Sequence, residues 1–397
     1  MSLQDKKDTF FNRFDWKLAL IIIALAIVSV IAISSAQTSG QYLTNFALKQ
    51  VVWFVVGFIL IGMTLVLEPE QYKKIAWFTL LFGLVLLALV KWGPGGPGTG
   101  LAPIYNGAKR WLNLPVIGRI QPSEFVKIFY ILVIARVVSK HHENTSIKTI
   151  QTDFILLLKI LGILALPLFF IINQDLGTSL VFLAITLGVI VVSGISWKLL
   201  APLFVGGAAL GATVLWMSVY AQDFLREKVG LDEFRMKRVY SWLDPYSYPS
   251  NEGFNLIQTM TGIGSGELFG KGYKGREVYV PENHTDFIFS IIGEEYGFIG
   301  SSLVIILFFI LIYHLTKISL SLNDPFSIYI TTGVISMIAF HVIENIGMNI
   351  QLLPITGIPL PFISFGGSSI FSMSIAVGLV FSIRYHQRTY MFSDEDH

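Results

Sequence analysis

Ten long, mostly apolar stretches recur along this 397-residue chain, and each constrains the backbone in the same way. They run approximately Trp16 to Ser35, Phe46 to Leu67, Ile75 to Val90, Pro122 to Val138, Phe154 to Ile172, Leu176 to Val192, Leu199 to Val219, Phe287 to Tyr313, Phe326 to Leu352 and Phe362 to Ile383. About 20 apolar residues cross the hydrocarbon of a bilayer as a helix. Lipid offers no partner to a peptide N–H or C=O, so such runs must be helical. With 53% hydrophobic and 14% charged residues, no water-soluble domain of this length accounts for the chain. The expectation is an all-α integral membrane protein of ten transmembrane helices forming one domain over residues 1–397.

Orientation follows from the cations. Lys6, Lys7 and Arg13 precede the first run, and Lys73, Lys74, Lys140, Lys148, Lys198, Lys317, Arg384 and Arg388 fall in alternate connections. Both termini are therefore expected in the cytoplasm. The first run is full length with no small-residue cleavage site after it, so it reads as a retained span. Cysteine is absent, which excludes disulfide and thiol chemistry, and a net charge of +2 gives no reason to expect a nucleic-acid partner.

The outward connections hold the unusual residues. Gly93 to Gly100 is expected to be a flexible loop. Lys109, Arg110 and Arg119 follow on the outer side, against the usual charge bias, and an anionic lipid headgroup is the obvious ligand for them. Glu124 and Lys127 lie on one helix face at an i,i+3 spacing; inside an apolar span such a pair should face the interior or a wet cavity. Asn173, Gln174 and Asp175 make a short polar corner in which helix capping alone could explain Asp175. Arg136 and Lys159 sit within spans, where snorkelling accounts for them.

The sizeable outer segment, residues 220–286 between the seventh and eighth spans, contains an expected amphipathic interfacial helix from Asp232 to Leu243. After it, Gly262, Gly264 and Gly266 fit neither nucleotide-loop pattern and suggest a tight turn. The segment ends in Val278 to Phe289, where Glu282, Asn283, His284 and Asp286 crowd the mouth of the eighth span. A carboxylate at that boundary must be solvated, paired or used, and it serves either as a polar collar or in proton exchange. In the ninth span His341, Glu344, Asn345, Met348 and Asn349 recur on one face, as interhelical glue or as a cavity lining. Pro354, Pro359 and Pro361 then forbid continuous helix.

These stretches resemble the SEDS family of bacterial cell-wall proteins. The resemblance rests on GAKRWL at Gly107, QPSEFVK at Gln121, NQDLGTSL at Asn173, GSGELFGKG at Gly264, PENHTDFIF at Pro281, GEEYGFIG at Gly293 and GMNIQLLPITGIPLPFISFGGSS at Gly347. They cover nearly the whole chain in the family's order, and PITGIPLPF is similar to the RodA branch. Gln351 and Asp175 depart from common family patterns at positions that carry no proposed catalytic role. The resemblance implies a peptidoglycan glycosyltransferase that polymerises lipid II and releases undecaprenyl diphosphate, with Asp286 as the catalytic residue. It implies a substrate site drawn from Arg110, Trp111, Glu124, Lys127, Asp175, His284 and Ser368. It also implies a class B penicillin-binding protein as partner, with MreC and MreD in rod-shaped cells. A lipid II flippase is the rival function, and a non-catalytic scaffold a third. No metal-ligand spacing is recognisable and no cofactor is certain, although a divalent cation such as Mg or Mn bridging a diphosphate and a carboxylate is chemically reasonable.

Overall fold

The computed structural model describes residues 13–37, 45–105, 107–115, 118–145, 147–221, 224, 233–248 and 252–393. Lys6, Lys7, Asp232 and part of the 220–286 segment lie outside the described residues, as do the side chains of Phe234, Arg235, Lys237 and Arg388.

Twelve helices appear among the described residues: α1 Trp16–Ala36, α2 Phe46–Thr64, α3 Pro69–Trp92, α4 Pro122–Glu143, α5 Ile150–Ile171, α6 Leu176–Val192, α7 Trp197–Tyr220, α8 Glu233–Leu243, α9 Glu252–Ser265, α10 Ile288–Leu320, α11 Pro325–Asn349 and α12 Gly367–Ser393. Side-chain caps start many of them. Asp15, Asn45, Thr149, Asp175 and Asp324 each accept from a first-turn backbone N–H, and Pro69, Pro122 and Pro325 occupy first-turn positions where their missing N–H costs nothing. Eight helices are long and apolar enough to cross a membrane: α1, α2, α3, α5, α7, α10, α11 and α12. The chain is a multi-pass membrane protein. Helix α6 is apolar but has only 17 residues, and α4 carries Glu124, Lys127, Arg136 and Lys140.

Helices α11 and α12 are central, with 67% and 72% of their apolar windows buried, whereas α7 buries 6% of its own. Helix α11 packs on α4, α6 and α10, and α12 on α2. Without a hydrophobic drive between helices in lipid, small residues set how closely they approach. A Cβ added at Gly57 would meet Ser374 Oγ at 2.6 Å and one at Gly188 would meet Ser336 Oγ at 1.8 Å.

Several expectations are corrected. Gly93 to Gly100 is no free loop: Gly95–Gly96 pairs with Thr99–Gly100, and further hairpins join Ile104–Tyr105 to Ala108–Lys109 and Leu112–Leu114 to Gly118–Ile120. Lys109 Nζ donates to the Gly93 carbonyl at 3.0 Å and Asn113 Nδ2 to that of Gly100 at 3.1 Å, holding these short ladders together. Gly262 and Gly264 belong to helix α9, not a turn. Nearby, Gly266 is a close-approach point, since its added Cβ would lie 2.0 Å from the Gly293 carbonyl oxygen. Helix α12 begins at Gly367 and not near Phe362, because residues 351–366 form a non-helical segment in which Ile363 and Ser364 donate to the Leu360 carbonyl. Arg136 does not merely snorkel; its Nη1 donates to the carbonyls of Lys73 and Lys74 at 2.5 and 3.1 Å.

Helix α10 breaks at Gly297, whose φ of 61° and ψ of −156° belong to glycine alone. The N–H groups of Phe298 and Ile299, released by the break, donate to the carbonyls of Glu267 and Leu268 at 2.8 and 3.2 Å. Just before the break, Glu294 Oε1 accepts from Lys271 Nζ and from the backbone of Glu277 and Val278. Glu295 pairs with Arg276 at 3.1 Å, and Arg276 reaches the Ser35 carbonyl at 2.8 Å. These contacts fasten residues 271–278 to α1 and α10 and so aim the stretch that leads to Asp286.

Candidate functional site

A cavity of about 310 Å³ opens where the N-termini of α4 and α6 meet the residues before α10 and after α11. Arg110, Trp111, Glu124, Asp175, Asp286 and Ser368, six of the eight residues expected from sequence, line it. Lys127 stands directly behind Glu124. His284 does not line the cavity. Its ring stacks on Phe46 at 4.7 Å between centroids and leans on Phe365, and burial pushes its pKa down to about 4. The imidazole is therefore a neutral packing element beside the site.

Asp286 is placed by its backbone. Asn345 Nδ2 donates to the Asp286 carbonyl at 2.8 Å and also to that of Ile358, while Asn349 Nδ2 reaches the same Asp286 carbonyl at 3.3 Å. Half of the polar stripe on α11 is thus a clamp joining the two non-helical segments. Ser364 Oγ donates to the Thr285 carbonyl at 2.6 Å, and the Phe365 N–H to that of His284 at 2.9 Å. Gly357, with φ of +74°, brings its backbone so close that an added Cβ would lie 3.2 Å from Asp286 Oδ2.

The carboxylate itself is half-buried and makes no hydrogen bond or ion pair among the described residues. Burial raises its pKa to about 6, helped by repulsion from Glu282 and, more weakly, Asp175, and opposed by attraction to Arg110 and Arg238. A carboxylate so tuned is ionised at neutral pH and a better proton acceptor than an ordinary aspartate.

Of the three cations expected on the outer side, the hairpins employ two elsewhere. Lys109 holds Gly93, and the Arg119 guanidinium sits 4.6 Å from the centre of the Tyr105 ring. Arg110 alone of the three lines the cavity. Its Nε donates to the Gln174 carbonyl at 2.7 Å, and its Nη groups make no hydrogen bond among the described residues, leaving a fork of donors for an anion. Asp175 is a cap, accepting from the Thr178 N–H at 3.0 Å and from Gln121 Nε2 at 3.1 Å. Ser368 Oγ accepts from the Gln121 N–H at 3.1 Å.

Beneath this floor lies a buried charge network. Lys127 Nζ donates to Glu124 Oε1 at 2.8 Å and to His341 Nε2 at 3.1 Å; Ser372 Oγ donates to Glu124 Oε2 at 3.0 Å. His341 Nδ1 donates to the Met337 carbonyl at 2.8 Å, which assigns the proton to Nδ1 and leaves Nε2 as the acceptor for lysine. Both Glu124 and His341 line the cavity, so the network ends on its wall. Glu282, singled out with Asp286 in the sequence, lines it too, as do Gln121 and Ser369, which went unrecognised although Gln121 opens the QPSEFVK motif. His341 was visible only as part of the α11 stripe.

Donors for a resident metal fall short. No group of three or more His, Asp or Glu among the described residues is arranged to hold an ion. Glu124 is bound to Lys127 and Ser372, and Asp175 caps α6, which leaves Asp286 and Glu282.

The family described as "Cell cycle protein", comprising FtsW, RodA and SpoVE, matches residues 12–389. The stage V sporulation protein E of Bacillus subtilis is 31% identical over 382 residues, covering 94% of this chain and 96% of that protein. The peptidoglycan glycosyltransferase MrdB of Escherichia coli is 30% identical over 395 residues, covering 98% of each. A solved structure of a peptidoglycan synthase complex that coordinates polymerisation and crosslinking contains a chain 25% identical, superposing with a TM-score of 0.74 over 94% of this chain and 98% of that one. With its sequence pattern matched almost end to end and its fold shared, the chain belongs to the FtsW/RodA/SpoVE family.

Proposed function

We propose that the protein is a peptidoglycan glycosyltransferase that polymerises lipid II for cell-wall elongation. The observation that carries the reading is Asp286: an unpaired carboxylate with a pKa raised to about 6, clamped through its backbone and sharing a cavity with the donor fork of Arg110. Asp286 takes the proton from the acceptor sugar hydroxyl as that oxygen attacks the anomeric carbon of the lipid-linked donor. One C–O bond forms, the C–O bond to the diphosphate breaks, and undecaprenyl diphosphate leaves with the bonding electron pair. Arg110 meets the charge that grows on the leaving oxygens. A cavity of about 310 Å³ holds a diphosphate and the reacting sugar atoms but not a whole disaccharide-peptide, so the rest of both substrates lies outside it.

The same reading takes α4 and α6 as spans, giving ten transmembrane helices in a single domain. Both termini are cytoplasmic, and residues 220–286 lie outside with the cavity. Trp111, Glu124, Lys127, Asp175 and Ser368 shape the substrate site. A class B penicillin-binding protein crosslinks the strands; support comes from the likeness to a chain of a complex that coordinates polymerisation and crosslinking. MreC and MreD remain partners on the strength of the resemblance. A flippase is less well supported, because transport needs polar sites near midplane and the cavity lies at one end of the bundle. The test is to incubate the purified protein with lipid II, with no other glycosyltransferase present, and separate the products by gel. Glycan ladders are expected, and their absence from an active partner complex would overturn the reading.

A further inference from the structure

At the end of α4 opposite Glu124, a second groove of about 630 Å³ runs between α3, α4 and α5. Lys140, His141 and Lys159 stand at its polar part, with Asn144 and Thr145 beside them. No carboxylate lines it. The acidic side chains that attract Lys140 and His141 from outside the groove make their direct bonds elsewhere: Glu143 with Lys73 at 2.7 Å and Ser139 at 3.0 Å, and Asp153 with the Ser196 N–H at 2.8 Å. Among the described residues neither the Lys140 nor the Lys159 ammonium has a hydrogen-bond or ion-pair partner.

Lys159 is the informative residue. Nine steps along α5 from Ile150 place its Cα about 14 Å in from the helix start, on an exposed face. An unpaired ammonium at that depth is costly, and the side chain relieves the cost by rising toward the interface. That movement brings it toward His141, which already feels its charge, and toward Lys140. Gathering cations beside an apolar surface is favourable only when an anion joins them. Beside Ile155 the groove continues deeper along Ile163 and Leu166, and Gly162 leaves a slot: an added Cβ there meets nothing within 4 Å. Trp77, 44% exposed, stands on the far wall from α3.

We infer that this groove binds one anionic glycerophospholipid, its phosphate between Lys140 and Lys159 and an acyl chain in the slot beside Gly162. A soluble phosphate would satisfy the lysines but leave the apolar wall open, whereas a lipid uses both halves. The site is separate from the catalytic cavity and stands independently of the reaction proposed there.

The test uses full-length protein purified in detergent and native mass spectrometry with dioleoylphosphatidylglycerol against dioleoylphosphatidylcholine. The parent protein should retain one phosphatidylglycerol in preference to phosphatidylcholine. Lys140→Gln with Lys159→Gln should weaken that retention at least about tenfold, while Lys198→Gln, an exposed cation elsewhere, should not. Gly162→Phe keeps every charge and fills the slot, and it should lose the lipid as well. Equal retention of the two lipids by the parent, undiminished binding by the double variant, or displacement of the lipid by inorganic phosphate would each overturn the inference.

Discussion

At Asp286, burial and the neighbouring Glu282 outweigh Arg110 and set ionisation near pH 6. A general base must be unprotonated, so glycan synthesis should rise with unit slope through about pH 6 and level off above it, as read from initial rates between pH 5 and 8. Asp286→Asn should lower the rate by about a hundredfold to ten-thousandfold. The raised pKa means that folding favours the protonated acid: this contribution is full below about pH 4 and is lost as pH rises through 6. Asn at this position should therefore melt no lower than the parent at pH 7.5, which separates chemistry from folding. Arg110→Ala should cut synthesis at least about tenfold, while Lys109→Ala, which removes only the tie to Gly93, should keep most of it. Equal losses in the two variants would mean that the hairpins, and not an anion fork, set the rate.

Helices α4 and α11 carry the supporting structure. Glu124→Gln or Lys127→Met alone strands a buried charge and should destabilise by about 3–5 kcal/mol. The double variant should recover part of that loss in detergent melts, because no uncompensated charge remains. Asn345→Ala orphans the Ile358 carbonyl and leaves that of Asp286 only the longer bond from Asn349, and it should cost about 1–3 kcal/mol, with a fall in kcat larger than any change in KM. How much of this was legible follows from the kind of signal. Apolar runs located the membrane helices to within a few residues at most ends, because lipid enforces the pattern residue by residue. The site's members were marked by charge in unlikely places: Glu124 and Lys127 in one apolar run, Asp286 at the start of another. The asparagine clamp was not legible as a clamp, since its acceptors are backbone carbonyls 13 and 59 residues away. His284 looked like a site residue by adjacency, but its neighbours Phe46 and Phe365, distant in sequence, turn the ring aside. The hairpins after Gly93 were hidden because ladders of two or three residues leave no alternation to read.

For the whole molecule, the absence of cysteine makes orientation directly measurable. Single cysteines at Tyr279 and at Leu320, 57% and 83% exposed, fall before the start and at the end of α10. In intact cells a membrane-impermeant maleimide should label the first and spare the second until the cells are lysed; the reverse pattern would invert the proposed topology. The break at Gly297 adds a vertical dimension. Residues 298–320 alone reach about 34 Å, enough to span hydrocarbon, and α11, which runs beside them, reaches about 37 Å before Asn349 takes hold of Asp286. On the proposed topology these lengths put the carboxylate at the height of the lipid headgroups. Every methylene of a carrier tail drawn into water would cost about 0.8 kcal/mol, so a reaction staged at that height leaves the isoprenoid dissolved in the bilayer while the sugar polymer grows away from it.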